Sequence, residues 1–177
     1  METAVLGSGC FWCTEAVFSV LKGVETVEPG YCGGKTQFPS YQEVCQGTTG
    51  HIEVVRIVYD ERQINYSTLL DVFFATHDPT TPGRQGNDIG PQYQSVIFAQ
   101  NIEQEKIALE KIEKLNNENA FEGKICTWVR PAEKFWPAEE YHKNYFSNNP
   151  GQGYCAFVIR PKVLKTKKQF AELLKGN

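Results

Sequence analysis

The fold of this chain is decided first by the stretch Thr3-Ala4-Val5-Leu6-Gly7-Ser8-Gly9-Cys10-Phe11-Trp12-Cys13. A short apolar run ends in glycines, and a helical pattern follows at once with four apolar residues on one face, Ala16, Val17, Val20 and Leu21. The stretch therefore predicts a strand, a tight turn and a helix that ends at Gly23. Cys10 falls near the first turn of this helix, where unpaired N–H groups and the helix dipole favour a thiolate.

Strands alternate with amphipathic helices along the rest of the chain. Further strands are predicted at residues 24–31, Ile52–Tyr59, residues 93–98, residues 124–130 and Cys155–Ile159. Helices are predicted at residues 67–76, after an Asn101 cap with Ile102, Leu109, Ile112 and Leu115 on one face, and in the C-terminal tail. Residues 77–92 are expected to form a long loop, and residues 131–153 mostly irregular coil. This order indicates an α/β or α+β sandwich in a single domain over residues 1–177.

The composition excludes several classes of protein. A net charge of -3 provides no field that would attract nucleic acid or an anionic membrane. The only basic cluster is interpreted as a solvated face rather than a phosphate contact, and it comprises Lys162, Lys165, Lys167 and Lys168. No apolar run reaches the ~18 residues of a membrane span, and Lys22 is the first basic residue, so a cytoplasmic protein is expected. Its six cysteines then indicate reduced thiols rather than a disulfide framework.

Cys10 and Cys13 form a Cys-x-x-Cys pair across one helical turn. The spacing is typical of a reactive dithiol, but it also fits half of a metal site, and most lone cysteines are buried structural residues. The chain has no second Cys-x-x-Cys and no His-x3-His, which argues against a four-ligand zinc site. Two alternatives to a thiol-based reductase stay open: a thioredoxin-like disulfide oxidoreductase, and a zinc-stabilised interaction module that uses Cys10, Cys13, Cys32 and Cys45.

Glu53 interrupts an apolar row on the strand Ile52–Tyr59. Side chains alternate along a strand, so Glu53 shares a face with Val55, Ile57 and Tyr59. A carboxyl group on such a face loses solvation in its charged form, which raises its pKa toward neutrality. Glu53 is therefore a candidate general acid, unless it lies at an exposed end of the strand.

Five motifs in register give the chain a specific resemblance to the peptide methionine sulfoxide reductase A family. They are Gly9-Cys10-Phe11-Trp12-Cys13, Gly30-Tyr31-Cys32-Gly33-Gly34, Tyr41-Gln42-Glu43-Val44-Cys45, Gly50-His51-Ile52-Glu53, and Gln85-Gly86-Asn87-Asp88 with Gln92-Tyr93. The resemblance runs from about Ala4 to Lys162, and it includes the segment from Asn149-Pro150 to Tyr154-Cys155.

The resemblance implies the chemistry of the first step. Cys10 would attack the sulfoxide sulfur of oxidised methionine, free or in proteins, and would be left as a sulfenic acid when methionine leaves. Phe11 and Trp12 would form the pocket wall around the methyl group of the substrate. The substrate implied is the S-epimer of methionine sulfoxide.

The resemblance also implies roles for four polar residues. Glu53 matches the family's proton donor to the sulfoxide oxygen, which is a poor leaving group until it is protonated. Tyr41 and Tyr93 match the tyrosines that hydrogen-bond this oxygen. Asp88 matches an aspartate that helps to order the site.

The cysteine that removes the sulfenic acid is less clearly indicated. This chain has Cys13 where glycine is common in the family, and it has a single cysteine near its C-terminus. Cys155 matches the family's resolving cysteine and follows glycines that favour mobility, so we expect Cys155 to resolve, with Cys13 alone or a relay through both as alternatives. The other three cysteines, Cys32, Cys45 and Cys126, are expected to be core or incidental thiols.

The resemblance finally implies a fold and a reductant. The fold is a two-layer sandwich with a ferredoxin-like core, a mixed sheet and a long coiled C-terminal segment. The disulfide formed in the cycle would be reduced by thioredoxin, a small dithiol protein. No bound cofactor or metal is required, and the protein is expected to act as a monomer.

Overall fold

Within residues 1–176, which the computed structural model describes, there are eight strands and six α-helices. The strands are β1 (Glu2–Gly7), β2 (Val24–Cys32), β3 (Ile52–Tyr59), β4 (Arg84–Gln85), β5 (Asp88–Ile89), β6 (Val96–Ala99), β7 (Trp128–Pro131) and β8 (Trp136–Pro137). The helices are α1 (Phe11–Phe18), α2 (Tyr41–Cys45), α3 (Tyr66–Ala75), α4 (Ile102–Asn117), α5 (Tyr145–Asn148) and α6 (Arg160–Gln169). None of the helices in this part of the chain has the length and apolar character needed to cross a membrane.

Six of the strands form one mixed sheet in the order β7-β6-β1-β3-β2-β8. The chain passes through β1, α1, β2, β3, α3 and β6, and the four central strands of the sheet lie in the order β6-β1-β3-β2 with every neighbour antiparallel. This β-α-β-β-α-β arrangement is ferredoxin-like. At the edges, β7 pairs in parallel with β6, and β8 pairs antiparallel with β2. The predicted mixed sheet and ferredoxin-like core are therefore confirmed.

The main hydrophobic core lies between one face of the sheet and the helices α1, α3 and α4. Leu6 of β1 and Ile57 of β3 are fully buried there, with Phe18 from α1, Phe73 from α3 and Ala108 from α4. A smaller apolar cluster on the opposite face of the sheet is covered mainly by the half-buried ring of Phe135. The helices thus form a single layer on the sheet, which is the expected two-layer sandwich.

Helix α4 begins where its cap predicts, and Ile112 and Leu115 of the predicted face pack against the main core. The Asn101 side chain accepts a hydrogen bond from the Gln104 N–H at 2.8 Å and so caps the helix. Ile102 and Leu109, predicted on the buried face, are 85% and 51% exposed. Gln104 takes the buried position instead, because its side-chain amide is satisfied by the Thr3 carbonyl.

The long loop at residues 77–92 contains regular structure that its glycines and prolines concealed. Strands β4 and β5 form a two-residue hairpin, and a 3-10 turn at Pro91–Tyr93 follows it. The next strand therefore begins at Val96 rather than at residue 93. This hairpin places Asp88 opposite the start of α1.

The prediction for Cys155–Ile159 is wrong, because this segment is a π-helical turn that leads directly into α6. Short apolar runs do not distinguish a strand from a buried helix by their pattern alone. The buried residues Cys155, Ile159, Val163 and Thr166 follow helical spacing, and Pro161 suits a helix start. The expected long coiled segment is therefore confined to residues 131–153, and the chain becomes helical after it.

Candidate active site

Cys10 lies at the junction of β1 and α1, where it is the N-cap residue of the helix. Gly9 before it has a φ of 102°, a left-handed conformation that favours glycine. A Cβ atom at Gly9 would lie 2.8 Å from the Cβ of Gln85, so the β4-β5 hairpin approaches this turn too closely for a side chain. The predicted strand, turn and helix thus hold the half-buried Cys10 thiol beside the hairpin.

Cys13 is the more acidic of the two thiols in the Cys-x-x-Cys pair. Burial raises the pKa of the Cys10 thiol well above its ordinary value, and the hydrogen bond with Cys13 and the charge of Glu53 raise it further. The same hydrogen bond from Cys10 lowers the pKa of Cys13 to about 7. The sequence predicted a Cys10 thiolate from the helix dipole, but the cost of burying that charge outweighs the dipole. The thiolate of this pair therefore forms on Cys13 more readily than on Cys10.

Glu53 is 1% exposed, on the face of β3 that carries Val55 and Ile57. Its Oε1 accepts a hydrogen bond from the Phe11 N–H at 3.1 Å, directly beside Cys10 in the chain. Within residues 1–176, its Oε2 has no hydrogen-bond partner. Burial raises the pKa of Glu53 to about 8, although the Phe11 hydrogen bond opposes the shift. Glu53 therefore holds a proton near neutral pH on a carboxyl group with one free oxygen.

Trp12 is held in a single orientation by two contacts. Its indole stacks on Tyr145 with ring centroids 3.7 Å apart and an interplanar angle of 4°. Its Nε1–H donates a hydrogen bond to Nδ1 of His142 at 2.9 Å. Phe11 lies behind it, almost completely buried, with its ring centroid 4.9 Å from that of His142. The two aromatic residues that follow Cys10 thus form part of a rigid aromatic cluster.

Tyr41 begins helix α2 and is positioned through its backbone. The Glu139 carboxylate accepts hydrogen bonds from the Tyr41 N–H at 2.9 Å and from the Tyr31 hydroxyl at 2.8 Å. The Tyr41 ring centroid lies 6.3 Å from that of Phe11 and 4.6 Å from that of His142. This network fixes the start of α2 against the aromatic cluster.

The Tyr41 and Tyr93 hydroxyl groups both interact electrostatically with Glu53. Burial raises the pKa of both hydroxyl groups, and the charge of Glu53 raises both further. Both phenols therefore stay protonated at neutral pH and can donate hydrogen bonds. The charge of Cys10 also raises the pKa of Tyr93.

Asp88 lies on the Cys13 side of the site, in a cleft of about 280 Å³. Its Oδ2 accepts a hydrogen bond from the Tyr154 hydroxyl at 2.5 Å, and that hydroxyl lies 3.7 Å from the Cys13 sulfur. Burial raises the pKa of Tyr154, with the charge of Cys10 as the next cause. The cleft is lined by both cysteines, the hairpin and the start of the last helix. A larger groove of about 840 Å³ adjoins it without containing either cysteine.

Cys155 is fully buried and packs in one apolar cluster with Cys13, Ala16 and Ile159. The cluster also contacts Cys10, which lies at its edge. Burial raises the pKa of Cys155, and the charge of Cys13 raises it further. All six cysteines are free thiols in the structure.

The zinc-binding arrangement considered from the sequence is not formed. Within residues 1–176, no group of three His, Cys, Asp or Glu side chains is suited to hold a metal ion. The Cys32 thiol instead donates a hydrogen bond to the Glu133 carbonyl at 3.7 Å, and Cys45 is exposed on α2.

Three residues of the site carried no recognisable signal in the sequence: Glu139, His142 and Tyr145. They lie in the segment that was expected to be irregular, and they contact residues about 100 positions or more earlier in the chain. Periodicity does not report such contacts. The only available signal was the density of aromatic residues in this segment.

Comparisons with known proteins show the family to which the chain is similar. The family model described as peptide methionine sulfoxide reductase matches residues 2–174. The chain is 55% identical over 176 residues to the peptide methionine sulfoxide reductase MsrA of Acinetobacter baumannii (strain AYE), covering 99% of this chain and 100% of that relative. The solved methionine sulfoxide reductase A of Corynebacterium diphtheriae is 37% identical with a TM-score of 0.81, covering 88% of this chain and 78% of that chain. Reduced Mxr1 from Saccharomyces cerevisiae is 34% identical with a TM-score of 0.81, covering 87% and 88%.

Proposed function

The chain belongs to the peptide methionine sulfoxide reductase family, and from this premise we propose that Cys10 reduces the S-epimer of methionine sulfoxide, with Glu53 as proton donor. The substrate is methionine sulfoxide, free or within proteins. The preference for the S-epimer is supported by the family resemblance, and the roles of the two residues are supported by the geometry around the start of α1.

The free Oε2 of Glu53 is the observation that carries this proposal. A carboxyl oxygen that is buried without a partner is costly, and such atoms are kept where a ligand supplies the missing hydrogen bond. Because the pKa of Glu53 is raised to about 8, this group carries the proton that a sulfoxide oxygen needs. The hydrogen bond from the Phe11 N–H to Glu53 supports this role, because Phe11 follows Cys10 directly in the chain.

The first half of the reaction balances with these groups alone. The Cys10 sulfur attacks the sulfoxide sulfur, and its proton passes to the Cys13 thiolate through their hydrogen bond. Glu53 protonates the sulfoxide oxygen as the S–O bond weakens. The S–O bond then breaks as the hydroxyl moves from the substrate sulfur to the Cys10 sulfur, and the S–S bond between Cys10 and the substrate breaks with its electron pair returning to the substrate. Methionine leaves with two more electrons than the sulfoxide had, and Cys10 is left as a sulfenic acid.

The remaining site residues orient the substrate. Tyr41 and Tyr93 donate hydrogen bonds to the sulfoxide oxygen from the two sides of Glu53, a role that their raised pKa values support. Phe11 and Trp12 bound the methyl group of the substrate, with Trp12 fixed by its two aromatic partners. Asp88 orders the Cys13 side of the site through Tyr154.

For the second half of the reaction, we propose that Cys13 attacks the Cys10 sulfenic acid first and forms a Cys10–Cys13 disulfide. The Cys155 thiol then attacks the Cys13 sulfur, which forms a Cys13–Cys155 disulfide and releases the Cys10 thiol. The contacts support this order, because Cys13 is hydrogen-bonded to Cys10 whereas Cys155 is buried against Cys13. The sequence favoured Cys155 as the first resolving residue. The relay keeps Cys155 as the final partner and gives Cys13 the first attack.

The reductant proposed for the resulting disulfide is a thioredoxin. The family resemblance supports this partner. Mxr1 from Saccharomyces cerevisiae has been crystallised in complex with Trx2, but at 24% identity that structure supports only the fold of this chain. We also propose that the chain forms a single domain over residues 1–177, that it acts as a monomer and that it is located in the cytoplasm. The six free thiols support a reducing compartment.

The test of the proposed activity is turnover of the separated epimers of methionine sulfoxide by the Cys10→Ser variant. Loss of methionine formation from the S-epimer is expected, with Cys126→Ser as a matched control that removes a thiol outside the site. Sizeable turnover by Cys10→Ser would overturn the proposal.

The relay is tested by one turnover without reductant, followed by mass-spectrometric mapping of the disulfides. We expect a Cys13–Cys155 disulfide in the native chain and a Cys10–Cys13 disulfide in the Cys155→Ser variant. A Cys10–Cys155 disulfide formed at the normal rate in Cys13→Ser would show that Cys13 is not required.

A further inference from the structure

Lys162 differs from the other lysines of the basic C-terminal cluster. Lys165, Lys167 and Lys168 are exposed, as a solvated face predicts, but Lys162 is half-buried. It lies on α6 beside the buried Val163, and α6 packs against α1, which carries Cys13. The expectation of a solvated lysine therefore fails at this position.

The side chain of Lys162 lines the cleft of about 280 Å³ that contains Cys10 and Cys13. Within residues 1–176, Lys162 forms no ion pair, and it is the only basic residue that lines this cleft. Asp88 shares the cleft, but its carboxylate is engaged by the Tyr154 hydroxyl at 2.5 Å. A cation without a fixed partner thus faces two thiols.

The charged and titratable groups that act on Cys13 come from four parts of the chain. Cys10 lies on the same helix, Asp88 comes from the hairpin, and Tyr154, Cys155 and Lys162 come from the C-terminal segment. Glu53 acts on Cys13 from strand β3. Lys162 is the only cation in this set.

The resolving step requires a group that stabilises the negative charge on Cys13. Cys13, which holds the proton that it took from Cys10, first releases this proton to solvent. Its thiolate then attacks the sulfenic sulfur of Cys10, an S–S bond forms, the S–O bond breaks, and the hydroxyl takes a solvent proton and leaves as water. In the resting protein, the Cys10 thiol is the largest cause of the low pKa of Cys13. That thiol no longer exists once Cys10 is oxidised, so another group has to stabilise the negative charge on Cys13.

We propose that Lys162 is the positioning residue of the resolving step, where its ammonium group stabilises the Cys13 thiolate that attacks the Cys10 sulfenic acid. The inference rests on the proposed function, since it assumes that Cys10 is oxidised by the substrate. Lys162 lowers the pKa of Cys13 in the resting protein as well, after the hydrogen bond from Cys10. Its effect on the reduction of the sulfoxide is smaller, because the Cys10 thiol, the largest cause of the low pKa of Cys13, is still present in that step.

The test separates the two halves of the reaction in a Cys155→Ser background, where Cys13 remains the only thiol of the proposed relay. Reduced protein is mixed with excess methionine S-sulfoxide without reductant, and methionine formation and Cys10–Cys13 disulfide formation are followed by quenched flow. We expect Lys162→Gln to slow disulfide formation by roughly three- to tenfold at pH 7 and to move its pH profile upward, because one pKa unit changes the thiolate fraction about tenfold. Methionine formation should slow by no more than about twofold, because the Cys10 thiol still lowers the pKa of Cys13 in that step.

The matched variants are Lys162→Arg, which keeps the charge and should restore disulfide formation, and Lys165→Gln, which removes a charge that does not line the cleft. A second readout is the absorbance of the Cys13 thiolate near 240 nm in Cys10→Ser protein, whose titration should shift upward with Lys162→Gln. Native rates of disulfide formation in Lys162→Gln between pH 6 and 9 would overturn the proposal. So would an equal loss in both steps, since a merely structural residue would have that effect.

The outcome also distinguishes this proposal from the proposed function. If the wild-type chain forms no methionine, the proposed function fails before Lys162 is tested. If methionine forms and Lys162→Gln resolves normally, only the role of Lys162 is lost.

Discussion

The indole ring of Trp12 stacks on the ring of Tyr145, with their centroids 3.7 Å apart and their planes within 4° of parallel. Such pairs contribute about 0.5–1.5 kcal/mol beyond the area they bury. Tyr145→Ala should therefore free the indole and lower kcat/KM for N-acetyl-methionine sulfoxide by roughly two- to tenfold, mainly through KM. Tyr145→Phe keeps the stack and is the control. A Tyr145→Ala enzyme with native KM would show that Tyr145 does not orient the pocket.

The raised pKa of Glu53 predicts the pH dependence of the reductive step. With a pKa of about 8, Glu53 is protonated at pH 7 and loses its proton above pH 8. Methionine formation in a single turnover should thus fall about tenfold for each pH unit above ~9. Glu53→Gln should be slower at neutral pH by about 10²–10⁴-fold and should lack this fall. A native rate that keeps rising through pH 10 would contradict the role of Glu53 as acid.

The same carboxyl group should make the protein less stable at high pH. Its pKa is about 8 in the folded chain and near the ordinary value of 4.5 in the unfolded chain, so between these values the folded chain binds more protons. Stability then falls as the pH rises from about 4.5 to about 8. Glu53→Gln should remove this loss and exceed the native free energy of unfolding by on the order of 2–4 kcal/mol at pH 8, and by little at pH 5.

Urea unfolding at the two pH values measures this difference, and Glu25→Gln, at an exposed position of β2, is the matched control. Equal stabilities of Glu53→Gln and the native chain at pH 8 would mean that the folded protein does not carry the cost of the buried carboxyl group.

The turn before Cys10 should not tolerate a side chain. Gly9→Ala places a Cβ in a left-handed backbone conformation and within 2.8 Å of Gln85. We expect a loss of roughly 1–3 kcal/mol in the free energy of unfolding and a lower kcat, because the hairpin and the nucleophile are displaced together. Gly151→Ala, where a Cβ meets no atom within 4 Å, is the control. Thermal unfolding and steady-state kinetics check both variants, and native behaviour of Gly9→Ala would refute the close approach.

Local patterns predicted the parts of the fold whose residues are near one another in the chain. Strand β3 has the predicted bounds, because its alternating row of apolar residues extends over its whole length. The turn and helix around Cys10 also follow from local signals, although α1 ends at Phe18, five residues before the predicted stop at Gly23. The same period of two predicted the apolar face on which Glu53 lies, and its 1% exposure excludes the alternative of an exposed strand end.

The features that were missed depend on contacts across the chain. The helical state of Cys155 is set by its burial against α1, which an apolar run cannot reveal by itself. Cys10 is less acidic than Cys13 because burial raises the pKa of the Cys10 thiol, whereas a helix start alone predicts a lowered pKa for Cys10. Lys162 belongs to the cleft because α6 lies on α1, and the sequence shows only a basic cluster.

The hydrogen bond from the Phe11 N–H to Glu53 also bears on the engineering of this scaffold. It joins the nucleophile and the acid through the backbone, so a designer can treat the β1-α1 turn and strand β3 as one transferable module. The last helix lies outside that module. Libraries confined to this helix would vary which dithiol regenerates the protein, while the oxygen-removing step keeps its geometry.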